Sequence, residues 1–162
     1  MKWKTKGEKD RKIYIAYGSN LNTDQMKQRC PDSEILGTGY IDDYELLFKQ
    51  IGIDRGSFLT IEKKKGAKVP VTLYSISEDD EKSLDKCEEY PTTYYKKDMV
   101  IPYTDNNGVE KETNAFTYIM HENKPLGDPS KEYVKRVLDG YKTFNFDTQI
   151  LQRALEQEEI NE

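Results

Sequence analysis

The chain has 162 residues, of which 35% are hydrophobic and 34% are charged, and its formal net charge is −5. This length predicts one domain with a core of its own, and the charge gives no reason to expect nucleic acid as a partner. No hydrophobic stretch approaches the roughly 20 residues of a membrane span. The two cysteines form no CxxC motif, so we expect a cytoplasmic protein with reduced thiols and no membrane partner.

The N-terminal segment is basic, since residues 1–12 carry six basic and two acidic side chains. We predict a flexible arm over residues 1–12, followed by a single domain over residues 13–162. A nucleic-acid-binding arm is a minor alternative. It would bind with salt-sensitive affinity that is lost when residues 1–12 are deleted.

The first half of the domain is predicted to consist mainly of strands. Alternation and β-branched residues predict a strand over residues 12–17, which ends in the turn Gly18-Ser19-Asn20. Asn22 is a good N-cap for a helix from about residue 23 that ends before Pro31, and Gln25 comes close to completing a capping box. Further strands are predicted over residues 44–49, 58–62 and 69–76, the last two joined by a hairpin-like turn at the Lys-Lys-Gly sequence of residues 64–66.

The second half mixes helices with a strand pair. Ser77 caps a helix with acidic residues 78–81 in its first turn and Pro91 beyond its end. Paired strands are predicted over residues 99–103 and 115–120, around the Asp-Asn-Asn-Gly turn. Asp128-Pro129 opens a helix that Gly140 closes, and Asp147 opens the last one. The pattern indicates an α+β domain with a mostly antiparallel or mixed sheet.

One acidic residue, Glu88, is predicted to face inward. Leu84, Cys87, Glu88 and Pro91 have the spacing of one helix face, and this face is otherwise apolar, while Glu81, Asp85 and Glu89 are expected to point to solvent. Burial and the negative end of the helix dipole would both raise the pKa of the Glu88 carboxyl, as general acid–base catalysis requires. The alternatives are a structural Glu bonded to backbone, or a helix end placed one residue wrong.

The Tyr-Gly-Ser-Asn turn of residues 17–20 lies between a strand and a helix N-terminus. Several backbone N–H groups should therefore surround one concave spot, which suits a carboxylate or a carbonyl oxygen. Neither a Gly-Lys-Ser/Thr sequence nor Gly-x-Gly-x-x-Gly is present, so the alternative is an ordinary tight turn. His121 is the only histidine, and we expect no metal site.

The two features together resemble the gamma-glutamylcyclotransferase superfamily, including the AIG2-like proteins, over roughly residues 13–156. The family's opening signature is complete as the Tyr-Gly-Ser-Asn-Leu sequence of residues 17–21. Its second signature, Leu-Asp-x-x-Glu-Gly, is matched by residues 84–89 except that Glu89 replaces the glycine, and a weaker Pro-Ser-x-x-Tyr match lies at 129–133. Two further departures are Val71, where a Gly is common, and the Tyr-Pro-Thr-Thr of residues 90–93.

This resemblance implies a small mixed β-barrel with flanking helices and a reaction that needs no cofactor. The α-amine of a γ-glutamyl amine, amino acid or peptide attacks its own γ-carbonyl and releases 5-oxoproline, with Glu88 as the general acid/base. The implied substrate contacts are Tyr14, Ile15, Ala16, Tyr17, Gly18, Ser19, Asn20, Leu21, Tyr95 and Tyr133. Glu89 and residues 90–93 motivate the alternative, a module on the same fold that binds a small acid or a partner protein without turnover. The oligomeric state is left open between a monomer and a homodimer.

Overall fold

Five strands close into a barrel within residues 11–157, the part of the chain that this computed structural model describes. The strands run in the order β1-β3-β2-β4-β5. Among these five strands, β1 and β5 pair in parallel, through Tyr14 and Phe116, and the other pairs are antiparallel. The strands are β1 (Lys12–Ala16), β2 (Glu34–Gln50), β3 (Ser57–Ile76), β4 (Tyr94–Asp105) and β5 (Glu110–Met120). The predicted α+β class with a mixed barrel is therefore confirmed.

Four α-helices flank the barrel in the described residues, and a side chain at the start of each helix caps it. Asn22, Ser77, Ser130 and Asp147 each accept a hydrogen bond from a backbone N–H of the first turn, which satisfies a donor that the helix itself cannot pair. The helices are α1 (Thr23–Arg29), α2 (Glu78–Cys87), α3 (Lys131–Thr143) and α4 (Thr148–Leu155). A 3₁₀ turn over Ser19–Leu21 precedes α1.

The predicted hairpin at residues 64–66 is wrong, because β3 continues through this segment as one bent strand. The register with β2 passes from Tyr44↔Lys63 to Asp42↔Lys68, so residues 64–67 lie opposite Asp43 alone. Asp43 accepts a hydrogen bond from the Gly66 amide at 2.9 Å. The irregularity bends both strands, as bulges do where a sheet curls into a barrel.

Gly140 does not end α3, contrary to the sequence-based prediction, and the helix continues to Thr143. A Cβ at Gly140 would lie 2.5 Å from the carbonyl carbon of Leu21, closer than atoms can pack. Glycine therefore lets α3 rest directly on the 3₁₀ turn. The contact fixes the position of the turn that follows β1.

The two ends of the chain fall outside this description. Residues 1–10 of the predicted basic arm lie there. Its last two residues belong to the fold instead, because Arg11 donates a hydrogen bond to Ser75 Oγ at 2.6 Å and Lys12 begins β1. Among residues 11–157, no helix combines the length and apolar character needed to cross a membrane.

Candidate active site

A cavity of about 260 Å³ lies between the turn after β1, the end of α2 and the start of α3. Its walls are partly aromatic and partly polar, as in many small-molecule sites. The residues that line it are Tyr14, Tyr17, Gly18, Ser19, Asn20, Arg29, Ile51, Phe58, Leu59, Cys87, Glu88, Glu89, Thr93, Tyr94, Thr117, Tyr118, Tyr133 and Arg136.

The Glu88 carboxylate faces this cavity from the C-cap position of α2. Its amide donates to the carbonyl of the buried Leu84 at 2.9 Å, which anchors the residue at the inner side of the helix end. No side chain among residues 11–157 bonds to the carboxylate. Glu88 is only partly exposed, and the surrounding protein desolvates its carboxyl group. This desolvation raises the pKa of Glu88 to about 7, although the positive charge of Arg29 acts to lower it.

The predicted apolar face is confirmed at Leu84, which is fully buried, and is wrong at Cys87 and Pro91. The helix ends at Cys87, so Pro91 lies outside it, and both residues are exposed. Glu81 and Asp85 do not point freely to solvent, because both bind the ammonium group of Lys96, at 2.7 and 2.9 Å. The inward position of Glu88 comes from the geometry of the helix end and not from a continuous helical stripe.

Glu89 occupies the left-handed position that terminates α2, with φ of 50°. Its amide donates to the Lys86 carbonyl at 3.2 Å and the next amide, of Tyr90, donates to the Asp85 carbonyl at 2.9 Å, which is a Schellman motif. Glycine is favoured at this position because a Cβ makes the left-handed conformation costly. This explains the glycine of the family signature. Here the Glu89 carboxylate instead binds Arg55, at 2.5 Å, and accepts a hydrogen bond from the Thr93 hydroxyl, at 2.6 Å.

The turn after β1 is held from several sides by side chains. The Tyr17 hydroxyl donates to the Tyr118 carbonyl at 2.6 Å, and the Tyr74 hydroxyl donates to the Asn20 carbonyl at 3.0 Å. The Gln25 amide group donates to Ser19 Oγ at 2.7 Å and to Asn20 Oδ1 at 3.1 Å. These bonds fix the backbone of the turn before any ligand arrives.

The backbone amides of the same turn are left available. None of the hydrogen bonds found within residues 11–157 uses the N–H of Gly18, Ser19 or Asn20 as a donor. A Cβ on Gly18 would stand 3.5 Å from the Tyr133 hydroxyl, so glycine keeps this side of the pocket open. The pocket therefore offers fixed, unused donors to a carboxylate or a carbonyl oxygen.

Four tyrosines surround Glu88. Burial raises the pKa of Tyr14, Tyr17, Tyr94 and Tyr133, and the nearby charge of Glu88 raises each of them further. All four therefore stay protonated at neutral pH. The Tyr133 hydroxyl accepts a hydrogen bond from the Leu59 amide at 3.2 Å and has the Ser19 side chain as a second neighbour. No hydrogen bond found within residues 11–157 uses the Tyr133 proton, so this hydroxyl can donate to a ligand in the pocket.

The structure brings together seven of the eleven residues that the sequence assigned to the site: Tyr14, Tyr17, Gly18, Ser19, Asn20, Glu88 and Tyr133. Ile15, Ala16 and Leu21 are instead fully buried in the core. Tyr95 donates to the Glu122 carboxylate at 2.5 Å and does not line the pocket. Its neighbour Tyr94 does, because successive residues of a strand point to opposite faces.

Sequence reasoning missed two cations that line the pocket, Arg29 and Arg136. Arg29 lies at the end of α1 and donates to Asn20 Oδ1 at 3.1 Å. Arg136 lies three residues after Tyr133 in α3, a spacing that places both on one side of the helix. That spacing was the one signal in the sequence that could have identified Arg136.

Comparison with known proteins places this fold among the cyclotransferases. A solved structure named gamma-glutamyl cyclotransferase superposes with a TM-score of 0.74 at 22% identity, over 94% of this chain and 91% of that one. The family model described as gamma-glutamyl cyclotransferase, AIG2-like, matches residues 14–141. The chain therefore belongs to the gamma-glutamyl cyclotransferase, AIG2-like family, and is an enzyme of this type.

Curated relatives agree with this assignment. The gamma-glutamylcyclotransferase of Bos taurus is 26% identical over 135 residues, which cover 80% of this chain and 70% of the relative. The protein of the same name from Homo sapiens is 27% identical over the same coverage.

Proposed function

We propose that the chain converts a γ-glutamyl compound to 5-oxoproline and a free amine or amino acid, with Glu88 as the proton-transferring group. The observation that carries the proposal is that the Glu88 carboxylate, without a partner in the described residues, shares one cavity with the unused amides of Gly18, Ser19 and Asn20. Membership of the family supports the same reaction type.

The proposed chemistry needs a base near neutral pH, because the substrate α-amine is protonated there. Glu88 takes a proton from this ammonium group, and the freed nitrogen attacks the γ-carbonyl carbon. The bond from that carbon to the leaving nitrogen then breaks as Glu88 returns this proton to the leaving nitrogen. Glu88 carries a second proton by the same route, from the attacking nitrogen to the released amine. Of the three protons on the α-ammonium, one stays on the lactam nitrogen and two end on the leaving amine, so Glu88 finishes in its starting state. A pKa of about 7 suits a group that must both accept and donate.

The other groups in the pocket position the substrate. The free amides of the turn polarise the γ-carbonyl oxygen and hold the glutamyl carboxylate, and the Tyr133 hydroxyl adds a donor. Because both reacting atoms belong to one molecule, holding the glutamyl chain curled supplies a large part of the rate enhancement.

A product analysis tests this reaction. The protein is incubated with a panel of γ-glutamyl amines, amino acids and peptides, and the products are identified by mass spectrometry. We expect 5-oxoproline, and no consumption of the matched N-acetyl compounds, whose α-nitrogen cannot attack. Release of glutamate would contradict the proposal by indicating hydrolysis, and binding of the panel without consumption would favour the non-catalytic binding module. A cytoplasmic location stays a prediction from the sequence.

A further inference from the structure

Two guanidinium groups line the pocket without an acidic partner in the described part of the chain. Arg29 is held by Asn20 Oδ1, whereas the side chain of Arg136 makes no hydrogen bond or ion pair within residues 11–157. The acidic residue beside Glu88 does not offset them, because Glu89 is already paired with Arg55. The cavity therefore has an excess of positive charge, which attracts an anionic ligand.

Arg136 lies at the outer edge of this pocket. The residue is exposed, and its carbonyl accepts a hydrogen bond from Asn22 Nδ2 at 3.4 Å, which ties it to the start of α1. Tyr133, one turn earlier on α3, reaches deeper and packs its ring against Phe58, with 5.1 Å between ring centroids. A ligand that fills the cavity thus passes from Glu88 and Tyr133 inside to Arg136 at the solvent edge.

The proposed reaction fixes which end of the substrate lies at that edge. The α-amine must reach Glu88 and the γ-carbonyl must reach the turn after β1, so the glutamyl part occupies the interior. The group on the leaving nitrogen then extends toward solvent. A guanidinium at this point binds a carboxylate well, because its planar donors match the two carboxylate oxygens.

We propose that Arg136 selects substrates whose leaving group carries a carboxylate, so that γ-glutamyl amino acids or peptides are preferred to neutral γ-glutamyl amines. This inference rests on the proposed function and assigns the outer part of the same site. The glutamyl carboxylate itself is served by the amides of the turn, with Arg29 close by.

The test compares two substrates of nearly equal size, γ-glutamyl-alanine and γ-glutamyl-alaninamide, which differ in the charge of the leaving group. The kcat/KM for 5-oxoproline release should be about 10-fold higher for the alanine compound, as expected for one charge-assisted contact at a partly solvated site. Arg136→Gln should reduce this ratio to about one, and Arg136→Lys should keep part of it. Lys135→Gln is the matched control, because Lys135 pairs with Asp139 at 3.6 Å and does not line the pocket.

Several results would overturn the inference while leaving the proposed function intact. The first is equal kcat/KM of the wild type for both compounds, and the second is a kcat/KM ratio that Arg136→Gln leaves unchanged. The third is an equal loss of kcat/KM on both compounds in Arg136→Gln, which would indicate that Arg136 contacts the glutamyl part. If the wild type releases 5-oxoproline from neither compound, the proposed function fails first. The affinities of the two compounds for Glu88→Gln, measured by calorimetry, then decide the inference. A preference for the alanine compound that Arg136→Gln removes would support it, and equal or absent binding would overturn it.

Discussion

Replacement of Glu88 by Gln is expected to stabilise the folded protein above neutral pH. Burial raises the pKa of this carboxyl from its ordinary 4.5 to about 7, so between these values the folded protein keeps a proton that the unfolded chain has released. The unfolded state binds fewer protons in this window, and wild-type stability therefore falls as the pH rises through it. One pKa unit corresponds to about 1.4 kcal/mol, so the wild-type free energy of unfolding should fall by about 2.5 kcal/mol between pH 5 and pH 8. The decrease is smaller where water in the pocket solvates the Glu88 charge.

Urea denaturation followed by circular dichroism at the two pH values measures this effect. Gln is neutral throughout, so the free energy of unfolding of Glu88→Gln, relative to wild type, should be higher at pH 8 than at pH 5. Glu89→Gln is the matched control, for which the expected change in the free energy of unfolding has the opposite sign. Hydrogen bonds from Arg55 and Thr93 lower the pKa of Glu89, so its charged form stabilises the fold above its unfolded pKa and the variant should be less stable than wild type. A Glu88→Gln difference that is independent of pH would refute the desolvated position of the carboxylate.

Three further predictions concern catalysis and packing. The kcat/KM for 5-oxoproline release should rise about tenfold per pH unit below about pH 7 as Glu88 ionises, and a midpoint near 4.5 would contradict its raised pKa. Gly18→Ala should leave the urea midpoint almost unchanged but reduce kcat/KM, because the new Cβ makes only ordinary contact, 3.5 Å from the Tyr133 hydroxyl, yet occupies the pocket. Gly140→Ala should lower the free energy of unfolding by about 1–3 kcal/mol despite a gain in helix propensity, and unchanged stability would disprove the close contact with Leu21.

Features set by short-range chemistry could be predicted from the sequence. Asn22, Ser77 and Asp147 cap helices as expected, because a capping bond spans only two or three residues. The turn of residues 17–20 follows a strand and borders a pocket, as the run of apolar residues into Gly-Ser-Asn indicated.

Features set by contacts between distant segments could not be predicted in this way. The sequence alone does not show which of Tyr94 and Tyr95 faces the interior, since this depends on how β4 meets its neighbours. Gly140 has the sequence context of a helix end, yet its role is contact with Leu21, more than a hundred residues earlier in the chain. The irregularity opposite Asp43 likewise depends on the pairing of β2 with β3 and not on a local turn.

The most direct test of the account is the rate of 5-oxoproline release by Glu88→Gln beside that of Glu89→Gln, each with its folded state verified by circular dichroism. Gln keeps the shape of the carboxyl group but cannot exchange protons, so the first variant should lose at least about a hundredfold in kcat. The second should keep most of the wild-type kcat, because its side chain turns toward Arg55. Wild-type turnover by Glu88→Gln would show that this carboxylate does not transfer the protons and would contradict the account.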